Sequence, residues 1–143
     1  MTLERLLYSI SEMAIQQKII NYACAGPDIY ALNGKTIKDW PVLFASPTGY
    51  HSVRQNSTVF SITLYYFDRL LEDSENEIGI LSTAVEELKN IVRNIDLIPE
   101  VVTVEEVYQI TNFTDTESFN DRVGGAWCTI RIEVLNDTIC AEE

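Results

Sequence analysis

Basic residues are scarce: 10 Lys and Arg stand against 22 Asp and Glu, a formal net charge of −12 over 143 residues. The deficit is uneven, with residues 1–67 near balance at +1 and residues 68–143 carrying −13. Such a surface repels phosphate backbones and opposes tight nucleic-acid binding, which needs clustered Lys and Arg. It leaves open a protein past which DNA moves without sticking. Histidine is nearly absent, the single one being His51 in the stretch SPTGYHS (46–52). A nucleophile needs a base and a group that orients it, and a surface-loop histidine supplies neither, so no catalytic residue is assigned. The three cysteines, Cys24, Cys128 and Cys140, form no CxxC pair, which excludes a disulfide framework or a zinc site and leaves reduced thiols as the expectation.

Other absences narrow the class further. No apolar run approaches the roughly 18 residues that span a bilayer. The N-terminal MTLERLLYS is charged where a secretory leader has its apolar core. The expectation is a soluble protein that matures inside a cell, with no membrane contact. No GxGxxG, P-loop, HExxH or GxSxG string occurs, and Gly124-Gly125 precedes a strand pattern rather than a helix, so it reads as a flexible lead-in, not a phosphate cradle. No cofactor is implied. No repeat, low-complexity tract or linker interrupts the chain, and 46% apolar residues suit one domain over 1–143.

What is present is clear periodicity. Leu3, Leu6, Leu7, Ile10, Ala14, Gln17 and Ile20 recur at helical spacing, with Thr2 as N-cap and Gly26-Pro27 as the stop, predicting a helix over about 2–23. Asn33-Gly34 is the dipeptide that best accepts a type I′ turn, so a hairpin is expected between strands near 28–32 and 35–45. SPTGYHS reads as an exposed loop. From Val53 to Phe67, Phe60, Ile62, Leu64 and Tyr66 alternate with Ser61, Thr63 and Tyr65, the strongest strand signal in the chain. Ile78, Leu81, Ala84, Val85, Leu88, Ile91, Val92 and Ile95 then mark a second amphipathic helix whose polar face holds Glu86, Glu87, Lys89 and Arg93. Strands follow near 101–112 and 126–135, the latter with Ala126, Cys128, Ile130, Ile132 and Val134 in one register. This order predicts an α+β fold, a mostly antiparallel sheet with two amphipathic helices on one face. Tyr65, Phe67, Trp127 and Leu135 fall out of phase with the inward positions. They either form an apolar patch on the open face or lie beneath loops or the second helix.

Between strand and helix, Asp68, Glu72, Asp73, Glu75 and Glu77 crowd five carboxylates into ten residues. Ser74-Glu75-Asn76-Glu77 fits the S-x-x-E capping box, and acidic side chains there complement the helix dipole. An EF-hand loop would require a glycine that is missing, so no metal site is assigned. Asp68-Arg69 fits an ion pair or an intersubunit contact. Glu72 and Asp73, which the cap does not use, are candidates to face a partner or a lumen.

The stretches LNGKTIKDWPVLFASPTGY, SITLYYFDRLLEDSENEIGILSTAVEELKNIVRNI and ITNFTDTESFNDRVGGAWCTIRIEV, with the closing Cys140, resemble virion proteins of tailed bacteriophages of gut Bacteroidales, including the crAss-like phages. The element order is similar to the tail-terminator, or tail-completion, family. That resemblance implies a small α+β subunit of a homo-oligomeric ring at the head-to-tail connector, assembled in the host cytoplasm and carried in the virion. Its partners would be portal, adaptor and tail proteins, with passive contact to translocating duplex DNA. It further implies that Asn33, Gly34, Tyr50 and His51 lie at ring contacts. The alternative from the charge alone is an acidic monomer that mimics DNA and modulates a host DNA-binding protein.

Overall fold

The computed structural model describes residues 1–27, 39–71, 75–115 and 122–137. Helix α1 (Leu3–Ile15) starts where expected: the Thr2 hydroxyl accepts the Arg5 N–H at 3.2 Å, and Leu6, Ile10 and Ala14 are buried. It ends eight residues short of the predicted end near 23. Ile20 is buried from a non-helical segment, so its spacing imitates a helical turn that does not form. The chain there becomes strand β1 (Tyr22–Ala25), which pairs in parallel with β2 (Val42–Val53) through Tyr22↔Val42 and Cys24↔Phe44. The expected Asn33-Gly34 hairpin lies within 28–38, outside the described residues.

SPTGYHS is not a loop. It continues β2 against β3 (Ser57–Arg69), with the register breaking between Pro47, opposite Ile62, and His51, opposite Phe60. Proline lacks the ladder N–H, and extra residues on one strand are absorbed as a bulge, so the same Pro/Gly signal that suggests a loop yields an irregular strand. The reversal comes at 54–56, held by Asn136, whose amide donates to the carbonyls of Arg54 and Gln55 at 3.3 Å.

Strands β3 and β6 (Val123–Leu135) are antiparallel over their whole length, from Ser57↔Leu135 to Arg69↔Val123. Two short strands share the other edge of β6: β4 (Val101–Val104) at its C-terminal half and β5 (Thr111–Asp115) at its N-terminal half. The predicted single strand over 101–112 is thus two. Among the described residues the sheet has six strands, in the order β1-β2-β3-β6-β4, with β5 beside β6.

Both α1 and α2 (Glu77–Ile95) cover one face. There Leu6, Ile10, Leu88, Ile91 and Ile95 meet Ile62, Leu64, Tyr66, Ala126, Cys128, Ile130 and Ile132 in one core. All five inward positions predicted for the last strand are fully buried. The second face carries a smaller cluster of Val42, Phe44, Phe67 and Val123, flanked by Trp40, Tyr65 and Phe113. Phe67 is therefore core rather than an open patch, whereas Leu135 is 49% exposed.

Gly124 and Gly125 belong to β6 itself rather than to a flexible lead-in. Gly125 lies between Phe67 and Phe113 in the ladder, and these rings meet across it, centroids 6.2 Å apart and 70° inclined. Their strands are separated by two ladder spacings, on the order of 9.5 Å, so a bare position between them lets the rings close. A methyl group at Gly125 would collide with the Tyr66 carbonyl and approach the Phe67 Cα to 2.7 Å. Gly125→Ala is expected to destabilise by about 2 kcal/mol or more. Gly79→Ala, on α2 with open space around it, is expected to gain about 0.5–1 kcal/mol. Urea unfolding of the two variants measures both.

Candidate functional site

The acidic end of β3 is where the chain's unusual polar groups gather. Asp68 stands opposite Gly124, and its carboxylate accepts the Arg69 backbone N–H at 2.7 Å. The Asp68-Arg69 contact is thus side chain to backbone. Burial holds the Asp68 carboxyl above its usual range, opposed by that hydrogen bond and by the Arg69 charge. Two residue pairs inward, Tyr66 is 2% exposed, and its phenol is pushed up by burial first and then by the charges of Asp68 and Glu87.

Glu87, expected on the polar face of α2, is only 6% exposed, with Asn90 Nδ2 donating to it at 3.4 Å. The spacing Ile80, Ala84, Glu87, Ile91 places it on the apolar stripe, a signal its charge obscured. Its neighbour Glu86 does face outward and pairs with Lys89 at 3.0 Å.

The expected capping box rests on Ser74, which lies outside the described residues. Helix α2 begins at Glu77, three residues after the expected start, with Asn76 at the N-cap position, and the Glu77 carboxylate accepts the Thr114 hydroxyl at 3.1 Å. Asn76 turns toward the strand end: its amide oxygen accepts the Leu71 N–H at 2.9 Å, and its Nδ2 donates to the Arg69 carbonyl at 3.1 Å. It therefore ties the start of α2 to the end of β3. Ser74, Glu72 and Asp73 lie outside the described residues. Leu70 N–H donates to the Arg122 carbonyl at 2.8 Å, extending the β3–β6 contact past the strand end.

The other candidates lie elsewhere. His51 is exposed on β2, its ring 5.2 Å from Phe60 in an edge-on contact, and Tyr50 precedes it on the same strand. Phe60 and Asp68 are eight residues apart on β3, roughly 26 Å along the strand. The structure thus separates Tyr50 and His51 from Asp68 and Arg69 rather than joining them in one site. Asn33 and Gly34 lie outside the described residues.

Among the described residues, no group of three or more His, Cys, Asp or Glu converges as a metal site. No helix there is long and apolar enough to cross a membrane. Cys128 is buried, and burial pushes its thiol up to about 12, which keeps it from acting as a thiolate nucleophile. Comparison with known proteins gives no matching family model and no matching curated sequence.

Two substitutions test this end of the fold. Asn76→Ala is expected to cost about 1–2 kcal/mol by leaving the Leu71 N–H and the Arg69 carbonyl without their partner, read by urea unfolding. For Asp68, a folded-state pKa above the unfolded one means that the ionised carboxylate opposes folding at neutral pH and that stability rises as pH falls through the folded value. Asp68→Asn is therefore expected to melt higher than wild type at pH 7, the gain vanishing by about pH 3, where both forms are neutral.

Proposed function

We propose that the chain is a non-catalytic structural subunit of an oligomeric ring in the head-to-tail connector, neck or tail end of a tailed bacteriophage, around the channel through which DNA leaves. The observation that carries this reading is the −13 charge of residues 68–143, of which Glu87 alone is buried among the described residues. A ring multiplies each subunit's charge, and a channel wall of carboxylates repels the phosphate backbone, so duplex slides without being held by ion pairs. The α+β sheet with both helices on one face is the architecture expected of a tail-terminator-like subunit. The roughly 26 Å between the His51 and Asp68 ends of the sheet suits a subunit with neighbours on two sides. In this reading portal, adaptor and tail proteins are the partners, the virion is the location, and the half-buried Asp68 carboxylate serves a contact made on assembly.

The same −12 charge favours a second reading, an acidic monomer that mimics DNA toward a basic host factor. Mass spectrometry of purified particles with imaging of the neck separates the two. The ring reading expects the protein in virions as a closed homo-oligomer at the neck or tail end. Absence from particles, with a monomer that captures a DNA-binding protein, supports the second.

A further inference from the structure

Among the described residues the helical layer does not cover the whole sheet. Helix α2 packs over β3 and β6 and α1 over β2 and β1, and beyond the outer flank of α1 lies an open groove of about 870 Å³. Its wall is one helical ridge, including Leu3, Leu7 and Ile15, and its floor is the small-residue strand at Ala23 and Ala25. The ridge runs from residue 3 to residue 15, about 18 Å at 1.5 Å per residue, the length of a three-turn helix. Ile15 is 48% exposed and Tyr8 64%, so apolar surface faces outward along this flank, interrupted on the ridge by Ser11. The small floor side chains leave the depth that a helix needs to settle into the layer that α1 and α2 already form.

The charged side chains lining this groove are Glu4 and Glu12, with no Lys or Arg among the described residues there. Glu12 also accepts the Tyr8 hydroxyl at 3.0 Å, which fixes that carboxylate on the rim. A second copy bringing the same flank would set Glu4 and Glu12 against Glu4 and Glu12, in a chain that already carries −12. We infer that the groove between α1 and β1 receives an amphipathic helix from a different protein, apolar on one face and flanked by Lys or Arg that meet Glu4 and Glu12. This is helix-in-groove recognition, with apolar anchors at i, i+3 or i+4, and i+7, and steering by charge complementarity. It does not rest on the ring reading, since any assembly or regulatory partner with such a helix fits.

The test is a display selection on the wild-type domain, using lactam-constrained helical peptides of about 14 residues, long enough to span the ridge, randomised over both faces. Enriched peptides are expected to carry Leu, Ile or Met anchors with flanking Lys or Arg. Their affinity should fall at least about tenfold on Glu4→Lys/Glu12→Lys and on Ile15→Gln. Exchanging the peptide's Lys for Glu should restore binding to the charge-reversed double variant. All three substituted side chains are exposed, and melting curves verify that the variants fold. No enrichment, enrichment without basic bias, or binding indifferent to Glu4→Lys/Glu12→Lys overturns the inference. Wild-type self-association that is lost on Ile15→Gln assigns the groove to a second copy and overturns it equally.

Discussion

The pairing of β3 with β6 is the constraint on which the rest of the structure depends. It runs without a register shift from Ser57↔Leu135 to Arg69↔Val123, and among the described residues β2, β4 and β5 attach to it directly and β1 through β2. Alternation along these two strands decides what each sheet face receives: Ile62, Leu64, Tyr66, Cys128, Ile130 and Ile132 turn toward the helices, and Tyr65, Phe67 and Trp127 turn away. A slip of one residue would exchange the faces and expose the larger core. Gly125 makes the register possible, because the Tyr66 carbonyl occupies the space a side chain would need.

From this spine the two faces acquire different characters. One is a thick core under α1 and α2, tied at its edge by the Met1 amino group, which donates to the Leu135 carbonyl at 2.6 Å and pairs with Asp137 at 2.6 Å. The other is a compact set of rings, with Tyr65 contacting Phe44, Phe113 and Trp127 at centroid separations of 6.1–6.5 Å. Edge-on and tilted contacts at such distances add directional preference to burial. They fix β2 and β5 to the central pair on the side the helices leave. The strand ends are then held by side chains acting on backbone groups, Asn136 at the 54–56 turn and Asn76 at the acidic end.

Where the sequence pattern was dense and two-sided, it could be read. The alternations at 60–66 and 126–134 identify the central strands, and the stripe Ala84, Leu88, Ile91, Ile95 identifies α2, because burial on one face imposes a period. Thr2 as a cap was legible for the same local reason. The misreadings share a different cause. Ile20 is buried at helical spacing without helix, and Glu87 is buried at helical spacing with a charge, so position and residue type point opposite ways. SPTGYHS has the composition of a loop but is held in β2 by its neighbour β3. The parallel β1–β2 pairing and the division of 101–112 into two strands depend on which partner lies alongside, and no short window records that. Of the site, Asp68 and Arg69 were visible as an abrupt charge after an apolar strand. Tyr66 and Glu87 join them only through packing, and Asn76 was hidden inside a motif that pointed to Ser74.

The proposed role places function at the edges of this frame, in the acidic strand end and in the flank beside α1, and requires the frame itself to stay closed while partners and DNA pass. Native-state amide hydrogen exchange tests that claim most directly. The account predicts that amides of residues 61–66 and 126–132 exchange only through global unfolding, their protection matching the unfolding free energy, while β1, β4 and β5 open at lower cost. Amides of β3 or β6 exchanging as readily as those of β1 or β4 would contradict it.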